Sequence, residues 1–128
     1  MYTAPQFSAE SASEVKLERR QIESVVVIGP VERVEIGVRN CDEFKVGFTR
    51  LLQQEDRNVV LDASSVEFFD SAGMGSLLSL QKNIDQRGGQ FVLAGMNRSV
   101  FEVFKMVGFD AIFKTFPDVD QAVRSFEP

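Results

Sequence analysis

The stretch Asn58–Leu80, N-V-V-L-D-A-S-S-V-E-F-F-D-S-A-G-M-G-S-L-L-S-L, constrains the fold of this chain more than any other. It opens with Val59, Val60 and Leu61, a short continuous apolar run of the kind buried on both faces of a parallel sheet. Asp62 to Ser65 is a polar bend, and a second apolar patch follows at Val66, Phe68 and Phe69. Beyond Asp70, the residues Met74, Leu77, Leu78 and Ile84 recur at helical spacing, which predicts strand, loop and helix in that order. Asp70 and Ser71 stand where the helix begins, and both are residue types that satisfy free N–H groups at a helix start. Ala72, Gly73 and Gly75 leave that helix mouth uncluttered, so that another surface can approach the backbone closely.

The flanking segments extend the pattern. Val15 and Leu17 alternate with Lys16 and Glu18, predicting a half-solvated edge strand, with Arg19–Gln21 as the turn after it. Ile22–Ile28 predicts a second strand, ended by Gly29-Pro30 because proline cannot donate to a ladder. The Val/Ile-rich segment from Arg33 to Arg39 fits either a loop or the first turn of a helix. Asn40 and Glu43 have capping-box spacing, and Phe44, Phe48, Leu51 and Leu52 then share a helical face through about Glu55. After Ile84, Arg87-Gly88-Gly89 reads as a helix stop and Phe91–Ala94 as a buried strand. Ser99 and Glu102 predict a capping box for a short helix closed by Gly108, and Ala111–Phe113 predicts a last strand. Pro117-Asp118, with Gln121 three residues after the aspartate, opens a final helix.

The order is β-β-α-β-α-β-α-β-α. That alternation predicts an α/β fold: a small mixed, mostly parallel sheet with helices packed against it, its first two strands antiparallel at one edge. Residues 1–13, small and polar with Pro5, are expected to form a flexible N-terminal tail, and residues 14–128 one domain.

Composition excludes several classes of function. The net charge of −5 disfavours nucleic acid and anionic lipid, which need a basic face. No apolar run approaches the roughly 20 residues that span a bilayer, so no membrane insertion is expected. One cysteine, Cys41, precludes an internal disulfide and suits a reducing cytoplasm. The chain has no histidine, which removes the commonest general base and the commonest metal ligand together. Asp62 and Asp70 alone make a weak acid pair, so neither catalytic residues, a metal nor a cofactor is assigned. A phospho-accepting receiver domain does not fit either, because Gly29-Pro30 stands where its acidic pair would be.

The run F-F-D-S-A-G-M-G-S-L-L after V-V-L-D resembles the signature of STAS domains, above all the anti-sigma factor antagonists of bacteria. The likeness continues through R-G-G-Q-F-V-L-A-G-M at residues 87–96 and V-F-K-M-V-G-F-D-A-I-F at residues 103–113. One departure is Gly29-Pro30-Val31-Glu32, where the family usually has G-x-L-D. The resemblance implies a cytoplasmic, non-enzymatic switch. The serine matching Ser71 is the family residue phosphorylated by a partner anti-sigma factor that is itself a serine kinase. A metal-dependent serine phosphatase resets it. By its residue type and place alone, Ser71 is equally a helix-capping residue, as is Asp70. The expected partner-binding surface comprises Asp70, Ser71, Ala72, Gly73, Met74, Gly75 and Ser76, with Phe69 and Met96 beside them. Phe68 and Phe69 are adjacent, so in extended backbone only one of them points inward. The alternative function is a non-catalytic STAS subunit of a lipid-transport ATPase complex, or a scaffold in a sensory assembly.

Overall fold

Continuous apolar strands form where a sheet is covered on both faces, and that is how this chain uses them. The computed structural model describes residues 6–7 and 15–127. Strands β1 (Gln6–Phe7), β2 (Leu17–Ile22), β3 (Val25–Pro30), β5 (Asn58–Asp62), β7 (Gln90–Ala94) and β8 (Thr115–Phe116) form one sheet in the order β1-β2-β3-β5-β7-β8. The first three are antiparallel, and β3, β5, β7 and β8 run parallel. Val26, Ile28, Val59, Leu61, Phe91 and Leu93 point into the larger core, beneath helices α1 (Cys41–Leu51), α2 (Ser71–Gln86) and α3 (Arg98–Met106). Val25, Val27, Val60, Val92 and Ala94 point the other way, against Ala122 of α4 (Val119–Arg124). The fold is thus the expected α/β arrangement with a mostly parallel sheet.

Several local expectations are corrected. Arg33–Arg39 is neither loop nor helix: Val34–Ile36 forms strand β4, parallel to β6 (Val66–Phe69) in a separate two-stranded sheet. Arg19–Gln21 is not a turn but part of β2, and the turn falls at Glu23, whose φ is 54°. Ala111–Phe113 is not a strand. A 3-10 turn spans Phe109–Ala111, and the last pairing is Leu93 with Thr115 and Ala94 with Phe116. Phe113 is held instead by aromatic contacts to Phe91, Phe104 and Phe109, with ring centroids 6.1, 6.4 and 5.7 Å away. The capping boxes at Asn40 and Ser99 do not form. Asn40 turns back to accept from the Gly37 N–H, and Asn97 caps α3 through the Val100 N–H. Asp118 caps α4 through the Gln121 N–H as the spacing predicts. The tail expected at 1–13 lies outside the described residues except Gln6–Phe7, which pair with Arg19 and Glu18 of β2.

Arg19 is missed as a structural residue because arginine in a polar tripeptide reads as surface. It is 7% exposed, and its guanidinium reaches the Leu51 carbonyl at 2.9 Å and the carboxylate of Asp56, also 7% exposed. Asp56 further accepts from the Gln53 N–H at 2.7 Å. Burial alone would raise the Asp56 pKa, but the Arg19 hydrogen bond and the Gln53 N–H outweigh it and hold it below its ordinary value. The pair ties β2 to the end of α1 and the turn into β5. Asp56→Ala leaves a buried guanidinium uncompensated and should cost about 3–5 kcal/mol, whereas Arg19→Met with Asp56→Leu should cost markedly less. Urea midpoints of the three proteins test this, and equal losses in both variants would show that the pair is not coupled.

Candidate functional site

The helix mouth is built from three chain segments drawn together by one side chain. Asp70 is extended (φ −83°, ψ −176°) and is the N-cap of α2. One carboxylate oxygen accepts from the Gly73 N–H at 2.9 Å, which closes the first turn. The other accepts from the Val38 N–H at 2.9 Å, in the loop that follows β4. The Asp70 N–H itself donates to the Ile36 carbonyl at 3.1 Å. Asn40 braces the same loop, accepting from the Gly37 N–H and donating to the Glu35 carbonyl, each at 2.9 Å. The N–H groups of Gly73 and Val38, in that order, with that of Ala72, hold the Asp70 carboxyl below its ordinary pKa.

Two glycines permit this closeness. A Cβ on Gly73 would strike the Ile36 carbonyl oxygen, and one on Gly37 would strike the Asp70 carboxylate. Gly75 differs, because a Cβ there would meet nothing within 4 Å. Glycine inside a helix costs about 1 kcal/mol relative to alanine, and no contact within the fold requires it at this position.

The expected surface divides along the helix. Ser71 and Gly75 are exposed and Ala72 is half-buried, so these present themselves to solvent around Asp70. Gly73, Met74 and Ser76 are buried, because they lie on the face of α2 that packs inward. The Ser76 hydroxyl donates to the Gly73 carbonyl within its own helix. Phe69 is corrected as well: it is 2% exposed and packs on Phe104, while its neighbour Phe68 is 40% exposed. Met96 is half-buried and lines a cavity beside α3 rather than the helix mouth. Val38, 76% exposed, was not expected at the site. The only sequence signal for it was an aliphatic residue isolated between Gly37 and Arg39. Among the other described serines, Ser24, Ser64, Ser79, Ser99 and Ser125 are also exposed; of these only Ser99 lies in the first turn of a helix, as the second residue of α3, and none occupies the first position behind a carboxylate cap. Among the described residues, no three acidic or cysteine side chains gather to hold a metal ion. Nor is any described helix long and apolar enough to cross a membrane.

An exposed serine thus stands at the first position of a capped helix, in the sequence D-S-A-G-M-G, and the STAS domain profile matches residues 16–122. The chain belongs to the STAS domain family. An anti-sigma F factor antagonist of Paenibacillus polymyxa is 30% identical over 92 residues, which cover 71% of this chain and 76% of that protein. The crystal structure of an anti-sigma factor antagonist from Mycobacterium paratuberculosis has a TM-score of 0.76 at 18% identity, over 91% of this STAS domain chain and 97% of that one. The phosphorylated form of SpoIIAA, a Bacillus cell fate determinant, has a TM-score of 0.60 at 16% identity, over 97% and 100% of the two chains. At these identities the two structures establish the shared STAS fold.

The two glycines of α2, one buried and one exposed, should respond oppositely to a methyl group. Gly73→Ala presses on backbone and should destabilise by about 1–3 kcal/mol. Gly75→Ala meets open space and should stabilise by up to about 1 kcal/mol. Thermal melts of both variants decide it, and a stabilised Gly73→Ala would disprove the close approach to Ile36. Asp70 adds a pH dependence. Its folded pKa lies below the unfolded value, so its contribution is present at neutral pH and is lost as the solution is acidified through that lowered pKa. Asp70→Asn should therefore lose less stability than wild type between neutral pH and a pH below the ordinary aspartate range. Equal losses would mean that Asp70 ionisation does not matter to the fold.

Proposed function

We propose that this chain is an anti-sigma factor antagonist whose binding surface is the mouth of α2, switched off by phosphorylation of Ser71. The observation that carries the proposal is the exposed Ser71, set at the first position of α2 by the Asp70 cap, whose other carboxylate oxygen holds the loop that carries the exposed Val38. The partner is an anti-sigma factor that is itself a serine kinase, and a metal-dependent serine phosphatase restores the binding form. The Paenibacillus relative carries the antagonist role in its name, and SpoIIAA is a STAS-fold protein with a phosphorylated form.

The physics of the switch follows from what already occupies the helix end. A helix N-terminus ordinarily welcomes an anion, but here the Asp70 carboxylate already takes the Gly73 N–H of α2, and with its other oxygen the Val38 N–H of the neighbouring loop. A phosphate on Ser71 adds about −1.5 to −2 charge units next to the Asp70 carboxylate. A partner that covers the mouth of α2 would bury that charge together with the exposed Gly75 one turn along the helix. Burying it there without a counter-charge is costly, so the modified form dissociates. The exposed Gly75 lets the partner backbone approach α2 one turn beyond Ser71.

The test is a titration of wild type and two variants against the anti-sigma factor kinase, with circular dichroism to confirm that each is folded. Ser71→Asp supplies one charge without phosphate geometry and should weaken binding by about tenfold or more, which corresponds to about 1.4 kcal/mol. Ser71→Ala should bind as tightly as wild type and take up no phosphate. Stoichiometric phosphorylation of Ser71→Ala, or undiminished binding by Ser71→Asp, would leave Ser71 as a helix residue and place the switch elsewhere.

A further inference from the structure

A cavity of about 430 Å³ opens at the other side of α3, where Met96, Arg98, Phe101, Thr115, Phe116 and Pro117 meet. Its position is set by topology. Ala94 and Phe116 are the last paired residues of the parallel strands β7 and β8, so the cavity lies beyond their C-terminal ends. Loops leave the carboxyl ends of the strands there, and the cavity is walled by the residues just after β7, the start of α3 and the end of β8. Its volume falls in the range of small-molecule sites, about 300–1,000 Å³.

The lining has a consistent chemistry. Met96, Phe101, Phe116 and Pro117 supply apolar walls, and Phe101 and Phe116 are both half-buried. Arg98, the first residue of α3, is exposed and makes no ion pair or side-chain hydrogen bond among the described residues. Thr115 adds a hydroxyl. Arg98, Phe101 and Lys105 follow one another along one face of α3, and the Lys105 ammonium lies 5.7 Å from the centroid of the Phe101 ring. No carboxylate belongs to the lining. The acids nearest in the chain are Glu102, exposed on α3, and Asp118, whose carboxylate is turned to the Gln121 N–H of α4. A cavity with aromatic walls, one uncommitted guanidinium and no acid selects for a negative charge on a flat apolar body.

We propose that this cavity binds a small organic anion with an aromatic body, its charged group paired with Arg98 and its ring set between Phe101 and Phe116. The site is separate from the Ser71 surface and does not depend on the proposed partner. A guanidinium can engage a carboxylate or sulfonate through two parallel N–H bonds, whereas an uncharged analogue loses that pairing.

The experiment uses naphthalene-2-carboxylate, with the neutral alcohol 2-naphthalenemethanol as its control. The chain has no tryptophan and a single tyrosine, so naphthalene emission reports binding with little interference. Amide chemical shifts locate the site. The carboxylate should bind saturably at millimolar concentration or below, with shifts concentrated at Met96, Phe101, Thr115 and Phe116. The alcohol and the exposed-site variant Arg98→Gln should each show binding weaker by about tenfold or more. Naphthalene-2-sulfonate should behave as the carboxylate does, since both present the same charge to Arg98. Absence of saturation, shifts centred elsewhere, or equal binding by the alcohol or by Arg98→Gln would overturn the proposal.

Discussion

The Asp70 carboxylate is the contact on which the arrangement of the site depends. It closes the first turn of α2 through the Gly73 N–H and anchors the β4–α1 loop through the Val38 N–H. A single side chain therefore fixes both the direction of the helix and the loop beside it. Ser71 inherits its position from this brace rather than from contacts of its own. The close approach it requires leaves no room for a side chain at Gly73 or Gly37. The small residues of D-S-A-G-M-G are thus two different devices: Gly73 serves packing, and Gly75 leaves space outside the fold.

The sheet holds this brace rigid from below. Phe69 ends β6 immediately before Asp70 and inserts between the helices, with Phe104 5.9 Å away, ring centroid to centroid. The aromatic contacts continue from Phe104 through Phe113 and Phe91 to Phe48 of α1. This connected set accounts for why so many of the chain's phenylalanines are core residues. A rigid scaffold beneath an exposed serine suits a switch that works by adding charge to a preformed surface, with no rearrangement of the fold required.

Much of this was legible in the residues, for identifiable reasons. Val25–Ile28, Val59–Leu61 and Phe91–Ala94 are continuous apolar runs because both sheet faces are covered, and their identity as strands followed. Asp70 as a cap followed from residue type and place. Strand β4 was not legible: three residues paired only with β6 are too short for periodicity to register. Arg19 misled because an ion pair made 37 positions away reverses the usual meaning of a charged residue. Phe68 and Phe69 were seen to face opposite ways, but which one faces inward depends on the register of β6, set by pairing with β4. Val38 was invisible for the same cause, since its exposure follows from a loop whose anchor is a long-range hydrogen bond.

The central claim is that Ser71 is the modified residue of a binding switch, and the most direct measurement is the intact mass of the protein taken from its native cells. The account predicts two forms, one heavier by a single phosphate, with fragmentation placing that phosphate on Ser71. Treatment with a metal-dependent serine phosphatase should collapse the heavier form into the lighter one. A phosphate mapped to Ser64, Ser79 or any other residue, or a single unmodified mass under conditions in which the partner kinase is active, would contradict it.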